Sequence, residues 1–308
     1  MNNHFVDSPS KWKQFLYSPN LVGWLLCMPA LGILGLFFLV PALIGFRYSL
    51  YEWDGVSSIM TFVGLNNYIE LFQTDRFWNA MFINWLTFFG TLLTQMPLAL
   101  FLAIGLSKQT GIIMKVYRTA IFAPQVISIA AAGLLWTLVF YPYQGFLNEL
   151  LKAIGLKSFA LGWLGEPNTA LISLLAASAW FYFGFHMIIF IAGLASIPKE
   201  CFEAAMLETN SWLNILRYIT LPMLREQLLI SFVFIFGGSF GPLVGFFYLM
   251  TSGGPGGSTE LLGIYMTFQA FRANRIGYAS AISVVTLFIV GIVLFWPVMH
   301  MTRERLEY

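Results

Sequence analysis

Long uncharged stretches alternate with short charged segments along the whole chain. Six windows of 27 to 33 residues contain no Asp, Glu, Lys or Arg, namely 14–46, 77–107, 119–148, 167–198, 227–259 and 276–302. A helix needs about 20 mostly apolar residues to cross a bilayer, so each window holds one crossing and a polar margin. The pattern therefore predicts six transmembrane helices, at about 21–46, 79–106, 119–140, 169–194, 223–250 and 278–301.

The composition excludes a soluble fold and disorder. Of the 308 residues, 58% are hydrophobic and only 10% are charged, whereas soluble domains carry roughly 25% charged residues. Apolar side chains are too abundant for a disordered chain. A net charge of +2 does not indicate the basic surface that a nucleic-acid-binding protein needs. The first window is longer than the apolar region of a cleaved signal peptide, which has about 7–15 residues. We therefore expect this segment to be an uncleaved transmembrane helix.

The distribution of basic residues predicts the orientation, because short cytoplasmic loops are enriched in Lys and Arg. One side collects ten of the 16 basic residues: Lys11, Lys13, Lys108, Lys115, Arg118, Lys199, Arg217, Arg225, Arg303 and Arg305. The other side has six: Arg47, Arg76, Lys152, Lys157, Arg272 and Arg275. We therefore expect residues 1–20 and the tail 303–308 to be cytoplasmic, on either side of a membrane domain over 21–302.

The sequence lacks the groups that an enzyme of this kind would need. The glycine-rich string at 252–259 has no lysine, so it is not a phosphate loop, and we expect no ATP hydrolysis by this chain. His186 is the one ionisable side chain deep in a window, and a lone histidine is more typical of a contact with a neighbouring helix than of an acid–base pair. Cys27 and Cys201 fall in a span and a loop, which predicts no disulfide, and no metal-ligand spacing exists.

Polar side chains inside the windows are expected to join helices. Asn84, Gln95 and Gln125 are examples, since amides hydrogen-bond across helices in a membrane.

One loop has a strong local pattern. Residues 196–224 read SIPKECFEAAMLETNSWLNILRYITLPML. Good helix formers follow Pro198, the break at 209–211 holds residues that favour caps and turns, and a second short helix is predicted over 212–220. We expect a helix–turn–helix on the inner face of the membrane.

This segment resembles the EAA loop in permease subunits of binding-protein-dependent ABC importers. The family pattern E-A-A-x-x-D-G-A is followed, after nine variable residues, by I-x-L-P. The matching positions are Glu203, Ala204, Ala205, Ile219, Leu221 and Pro222. Glu208 and Thr209 replace the family's Asp and Gly. A β-branched residue is poorly suited to left-handed backbone, so we expect Thr209 to be right-handed or extended, with Asn210 or Ser211 as a cap.

Segments in the rest of the chain resemble the carbohydrate branch of that family, the maltose, lactose and glycerol-phosphate permeases. These segments are 62–72 (FVGLNNYIELF), 76–80 (RFWNA), 134–148 (LLWTLVFYPYQGFLN), 163–171 (WLGEPNTAL), 192–200 (AGLASIPKE), 249–260 (LMTSGGPGGSTE) and 277–284 (GYASAISV).

The resemblance implies an all-α integral membrane protein, similar to type I ABC importer permeases, in a bacterial or archaeal cytoplasmic membrane. It implies a heterodimer with a second homologous permease, two ATPase subunits that hold ATP and Mg, and an extracytoplasmic solute-binding protein, with no cofactor on this chain. The loop at 196–222, called the coupling loop below, would dock on the ATPase. The residues implied in coupling are Glu203, Ala204, Ala205, Glu208, Thr209, Leu221 and Pro222. Glu203 would enter a cleft of the ATPase, and Ala204 and Ala205 would permit close approach.

Aromatic residues in the fourth and fifth windows are candidates for a substrate pathway, because their faces stack on sugar rings. Residues 236, 239, 240, 243 and 247 have the spacing of one helical face, and glycines at 237–245 interrupt that span, as in a broken helix that lines a cavity. In related permeases these parts of the two spans line the sugar site. The candidate residues are Phe181, Tyr182, Phe185, Phe236, Ser239, Phe240 and Leu243.

Other interpretations stay open on the sequence. Glycines also serve close helix packing and aromatic side chains also face lipid, and the partner permease could supply the contacts. A self-sufficient secondary carrier or channel for a small neutral solute is the main alternative function. An intramembrane enzyme or a membrane scaffold is less compatible with the absence of paired membrane charges and with the loop pattern. The residues do not distinguish oligosaccharides, sugar alcohols, glycosides and glycerol phosphates.

The predicted topology is tested by labelling single cysteines from either face of the membrane. Cysteines introduced at Gln109 and Gly254 are expected to react with an impermeant thiol reagent from opposite faces. Labelling of both from the outer face would contradict the six-span topology.

Overall fold

The computed structural model describes residues 19–107 and 111–304, and almost all regular structure there is helical. The α-helices are α1 Pro19–Leu34, α2 Val40–Tyr48, α3 Asn66–Gln73, α4 Asp75–Ser107, α5 Ile112–Phe122, α6 Ile129–Val139, α7 Phe146–Ala153, α8 Pro167–Ser196, α9 Lys199–Glu208, α10 Trp212–Ile215, α11 Leu221–Met223, α12 Arg225–Phe240, α13 Pro242–Thr251, α14 Leu262–Phe271 and α15 Ile276–Glu304. Short π and 3-10 segments occupy Gly35–Leu39, Ala123–Val126, Lys157–Phe159 and Leu216–Thr220. Most of the predicted N-terminal segment, residues 108–110 with the labelling position Gln109, and the end of the tail lie outside the described residues.

Several of these helices have the length and composition of membrane spans. In the described ranges, four stretches are long and apolar enough to cross a bilayer: Val22–Tyr48, Asp75–Ser107, Pro167–Ser196 and Ile276–Met299. Two bent pairs raise the number to six if each pair is one span: Ile112–Val126 with Ile129–Val139, and Trp212–Met223 with Arg225–Phe240. The helical membrane fold that the sequence predicts is confirmed.

The fold departs from a purely helical one at a single short hairpin in the described part of the chain. Strands β1 (Tyr51–Glu52) and β2 (Thr61–Phe62) pair antiparallel, with Tyr51 opposite Phe62. The side-chain amide of Asn67 donates to the carbonyls of Ser49 (2.8 Å) and Tyr51 (2.9 Å), which fixes this hairpin on α3. Two residues per strand are too few for a period-2 pattern to indicate them.

The third predicted span, 119–140, consists of two helices bent by 96°. Pro124 lies in the 3-10 turn that ends the first helix. Ser128 is extended, and its hydroxyl accepts a hydrogen bond from the backbone N–H of Ala131 at 3.2 Å, so it caps α6. Pro124 and Ser128 together therefore break the helix inside a single apolar window.

The fifth predicted span is interrupted at Gly241, between α12 and α13. Pro242 has no N–H, so the regular backbone ladder cannot continue through it. The backbone torsions of Gly241 are φ −127° and ψ −103°, outside the helical region. The interruption that the glycines predict is present.

Asn84 of α4 joins α12 to α14. Its amide nitrogen donates to the carbonyl of Ser239 at 3.0 Å, and its oxygen accepts from the N–H of Leu262, also at 3.0 Å. Ser239 is in the last turn of α12 and Leu262 is the first residue of α14, so both groups lack a regular helical partner. Asn84 is fully buried, and its one side chain satisfies a free backbone group at each helix end.

Two bidentate ion pairs fix the loops on the side where α4 begins. Arg76 contacts Glu260 at 2.7 and 2.8 Å, and its guanidinium lies over the ring of Phe268. Arg275 contacts Glu70 at 2.6 and 2.7 Å. The hydrogen bonds from Arg275 hold the pKa of the Glu70 carboxyl below its usual value. The start of α4 is thereby tied to the loop before α14, and α3 to the start of α15.

The bridge at Asn84 is tested by its removal. Asn84→Leu would leave the Ser239 carbonyl and the Leu262 N–H buried without a partner, and we expect the free energy of unfolding to fall by about 2–4 kcal/mol. The measurement is reversible unfolding in mixed detergent–SDS micelles. Thr94→Val is the control, because that exposed hydroxyl donates to the Gly90 and Thr91 carbonyls of its own helix. Equal stability of the two variants would contradict the role of Asn84.

Candidate functional site: a cavity between broken helices and the coupling loop

A cavity of about 430 Å³ lies beside the helix breaks. Its walls come from α4, the 3-10 turn before α6, α8, α12 and α13. The lining residues are Thr91, Gln95, Gln125, Tyr182, Phe185, His186, Val233, Phe234, Ile235, Gly237, Gly238, Pro242 and Leu243. The two interrupted segments thus end at one shared space, which is where discontinuous helices place binding sites in transporters.

One part of the wall is aromatic. Tyr182 and Phe185 lie on α8, and the ring of Phe185 meets that of Phe234 edge-on with centroids 5.0 Å apart. Glycines 237 and 238 of α12 also line the cavity and add no side chains to it. The cavity can therefore hold a flat ring against an aromatic face.

The rest of the wall carries uncharged polar groups that the sequence analysis assigned to helix contacts. Gln95 and His186 are each only 2% exposed. Among the described residues, Gln95 Nε2, His186 Nδ1 and Gln125 Oε1 have no hydrogen-bond partner. The role predicted for Gln95 and Gln125, joining helices, is therefore not what these atoms do. Of the three residues, only Gln125 adjoins a helix break, next to Pro124. Gln95 and His186 lie within continuous helices, so no local sequence signal indicated that they line the cavity.

The structure brings three of the seven predicted pathway residues to this cavity: Tyr182, Phe185 and Leu243. The interruption at Gly241 places Leu243 on a different helix from Phe236, Ser239 and Phe240, so the expectation of one continuous helical face is wrong.

The other four predicted residues have packing partners elsewhere. Phe181 stacks on Phe246, with ring centroids 6.0 Å apart. Phe236 is fully buried against Phe88 and Phe240. The Ser239 hydroxyl donates to the carbonyl of Ile235 at 2.9 Å. Phe240 lies beside Trp85, with ring centroids 6.3 Å apart.

The coupling loop forms the two helical segments that its sequence predicts, Lys199–Glu208 and Trp212–Thr220, the second ending in a π segment. Thr209 is extended, at φ −151° and ψ 137°, as expected. Its hydroxyl accepts the backbone N–H of Ser211 at 3.1 Å. The cap predicted from Asn210 or Ser211 is wrong, because Ser211 occupies the N-cap position without a side-chain hydrogen bond.

The predicted coupling residues divide into exposed and packed ones. Glu203, Ala204, Glu208 and Pro222 are exposed, and Leu221 and Thr209 are half-buried. Ala205 is buried, with 9% exposure. The expectation that Ala204 and Ala205 both face a partner is therefore wrong for Ala205, whose small side chain lies inside the loop.

Four large apolar side chains of the loop are exposed, among exposed polar and charged ones. Leu207 is 90% exposed, and Met206, Trp212 and Leu213 are also exposed. Large exposed apolar groups clustered on one extramembrane element are typical of a protein contact.

The helix before the loop, α8, and the helix after it, α12, are in contact. Gly193 of α8 lies against the side chains of Leu224, the fully buried residue before α12, and of Gln227 in α12: a Cβ at Gly193 would come within 2.7 Å of both. Both helices continue from this contact to the cavity, through His186 on α8 and Ile235 on α12. The helices on either side of the loop are therefore among those that line the cavity.

The chain is similar in sequence to known transport proteins. The profile of the family "binding-protein-dependent transport system inner membrane component" matches residues 95–303. A probable ABC transporter permease protein, YurN of Bacillus subtilis, is 34% identical over 88% of this chain and 92% of its own length. The lactose transport system permease protein LacF of Rhizobium radiobacter is 30% identical over 97% of this chain and 99% of its own.

The fold is similar to that of a solved transporter. In the crystal structure of a bacterial alginate ABC transporter in complex with alginate pentasaccharide-bound periplasmic protein, one chain superposes with a TM-score of 0.76 at 21% identity, covering 96% of this chain and 98% of that one. The profile, the relatives and the helical membrane fold agree, and the chain belongs to the inner-membrane permease components of binding-protein-dependent ABC transport systems.

Proposed function

We propose that this subunit forms the pathway for a sugar or sugar-like solute that an extracytoplasmic binding protein delivers, and that partner ATPases drive it through the coupling loop. The observation that carries the proposal is the physical continuity from loop to cavity. The contact of Gly193 with Leu224 and Gln227 joins α8 to the start of α12 directly behind the loop, and the same two helices line the cavity.

The aromatic wall supports a sugar as the solute. Tyr182 and Phe185 offer ring faces, and the C–H faces of sugars are apolar enough to stack on them. The relative LacF is a lactose transport system permease protein, and the solved transporter was crystallised with an alginate pentasaccharide on its periplasmic protein. Both support a saccharide cargo for this chain.

The exposed surfaces support the partners that the family implies. Leu207 and its apolar neighbours on the loop would be covered by an ATPase subunit, one of two, which would hold ATP and Mg. Residues from Val22 to Arg47 are not buried by the rest of the chain, so lipid and a second homologous permease would cover them. Both termini would then lie in the cytoplasm, as the distribution of basic residues predicts.

The coupling role is tested at two exposed positions. Glu203→Ala removes a charge-assisted contact of about 1.5–3 kcal/mol, and Ala204→Trp blocks close approach. In proteoliposomes with all partner subunits, both variants are expected to insert normally and to lose substrate-stimulated ATP hydrolysis and uptake. Glu226→Ala and Ala204→Ser are the matched controls, since Glu226 is exposed beyond the loop. Wild-type coupling in both test variants would overturn the assignment.

The cavity is tested by comparing two aromatic positions. Tyr182→Ala removes a cavity wall and is expected to lower solute uptake severalfold while the complex still assembles. Phe240→Ala removes a ring from the cluster around Trp85 and is expected to lower the thermal stability of the complex. At a permissive temperature, its uptake rate per assembled complex is expected to stay close to that of wild type. Uptake rates normalised to the amount of assembled complex separate the two effects. Normal uptake in Tyr182→Ala would place the site elsewhere.

A further inference from the structure

Three uncharged polar side chains from three separate elements line the cavity. They are Gln95 on α4, Gln125 in the 3-10 turn and His186 on α8. Within the described residues, one nitrogen or oxygen atom of each has no hydrogen-bond partner. Thr91, on the same wall, differs: its hydroxyl donates to the Thr87 carbonyl at 2.8 Å.

Unsatisfied groups of this kind are costly. A buried polar atom without a partner destabilises a protein by about 1–3 kcal/mol, and buried polar atoms are hydrogen-bonded in the great majority of cases. Such atoms also occur elsewhere in the described chain, for example on Trp136 and Ser231. What sets Gln95, Gln125 and His186 apart is that all three residues line one cavity, where a ligand could provide hydrogen-bond partners for their polar groups.

The chemistry of the wall defines that ligand. A terminal amide has both donors and acceptors, and a neutral imidazole has one of each, so each group can bind a hydroxyl in either direction. None of the lining residues in the described part of the chain is Asp, Glu, Lys or Arg. A phosphate or carboxylate in this space would be a buried charge without a counter-ion, which is strongly unfavourable.

We infer that Gln95, Gln125 and His186 bind the hydroxyl groups of an uncharged polyhydroxy solute that stacks on Tyr182 and Phe185, and that this wall excludes anionic sugars. The inference rests on the proposed function, because it assumes that the cavity lies on the solute pathway. It adds the specificity: neutral saccharides and polyols are accepted, whereas sugar phosphates and uronates are rejected.

The charge preference is tested with the complete complex in proteoliposomes. The probes are maltose, lactose, trehalose and sorbitol as neutral solutes, and glycerol 3-phosphate and digalacturonate as anions. Uptake of a neutral probe with at least tenfold preference over both anions is the expected result. Uptake of an anion at a comparable rate would overturn the inference and leave the proposed function standing. Uptake of no probe would contradict the proposed function itself.

The three side chains are tested with the neutral probe that is taken up and its monodeoxy analogues, each at saturating concentration. Wild type is expected to prefer the parent sugar to one analogue about five- to tenfold, the equivalent of one hydrogen bond. Gln95→Leu or His186→Leu should bring that ratio close to one, because the variant has lost the hydrogen bond that distinguishes the two sugars. The binding protein is the same in the wild-type and variant assays, so its own preference does not account for a change in the ratio. His186→Gln retains hydrogen-bonding atoms and is expected to restore much of the preference.

Two matched controls exclude a merely structural effect. Thr94→Val on α4 and Ser178→Ala on α8 remove hydroxyls that bond to their own helices and do not line the cavity. Both should retain the wild-type ratio. An unchanged ratio in the Gln95 and His186 variants, at normal levels of assembled complex, would overturn the assignment of these residues.

Discussion

A helix that is interrupted within a membrane protein must find partners for the backbone groups that it frees, because lipid offers none. The rest of this structure depends on how that requirement is met at Gly241. Asn84 satisfies the Ser239 carbonyl and the Leu262 N–H with one buried amide. Ser128 performs a related task at the bend before α6, where its hydroxyl accepts a backbone N–H. Both interruptions are therefore stable features of the fold.

The cavity is a consequence of these interruptions. The two broken helices leave a space beside α4 and α8, and glycines 237 and 238 add no side chains to its lining. Gln95, Gln125 and His186 line this space, and one polar atom of each has no partner within the described chain, in contrast to Asn84, which has two partners. The side-chain amide of Asn84 thus joins helices, whereas the inference above assigns those of Gln95 and Gln125 to a ligand.

The coupling loop and the cavity are linked by two helices. Gly193 on α8 packs against Leu224 and Gln227 at the start of α12. Packed interiors transmit displacement because they have little free volume. Under the proposed function, an ATPase bound to the loop would act on the walls that Tyr182 and Ile235 provide through this contact.

The sequence by itself determined three features, because each follows from local properties. The spans follow from the absence of charge over 27 or more residues. The helices of the coupling loop follow from helix formers between turn residues, and the interruption of the fifth span follows from glycines before a proline.

Tertiary structure alone decided which side chains meet. Ala205 lies inside the loop and Ala204 outside, although they are neighbours in an identical local pattern. The spacing of Phe236 and Leu243 predicts that they lie on one helical face, but the interruption at Gly241 places them on two different helices. His186 and Gln95 acquire a shared cavity only through helices almost a hundred residues apart in the chain. Periodicity defines a face relative to its own helix axis, and only the packing of other helices defines what that face contacts.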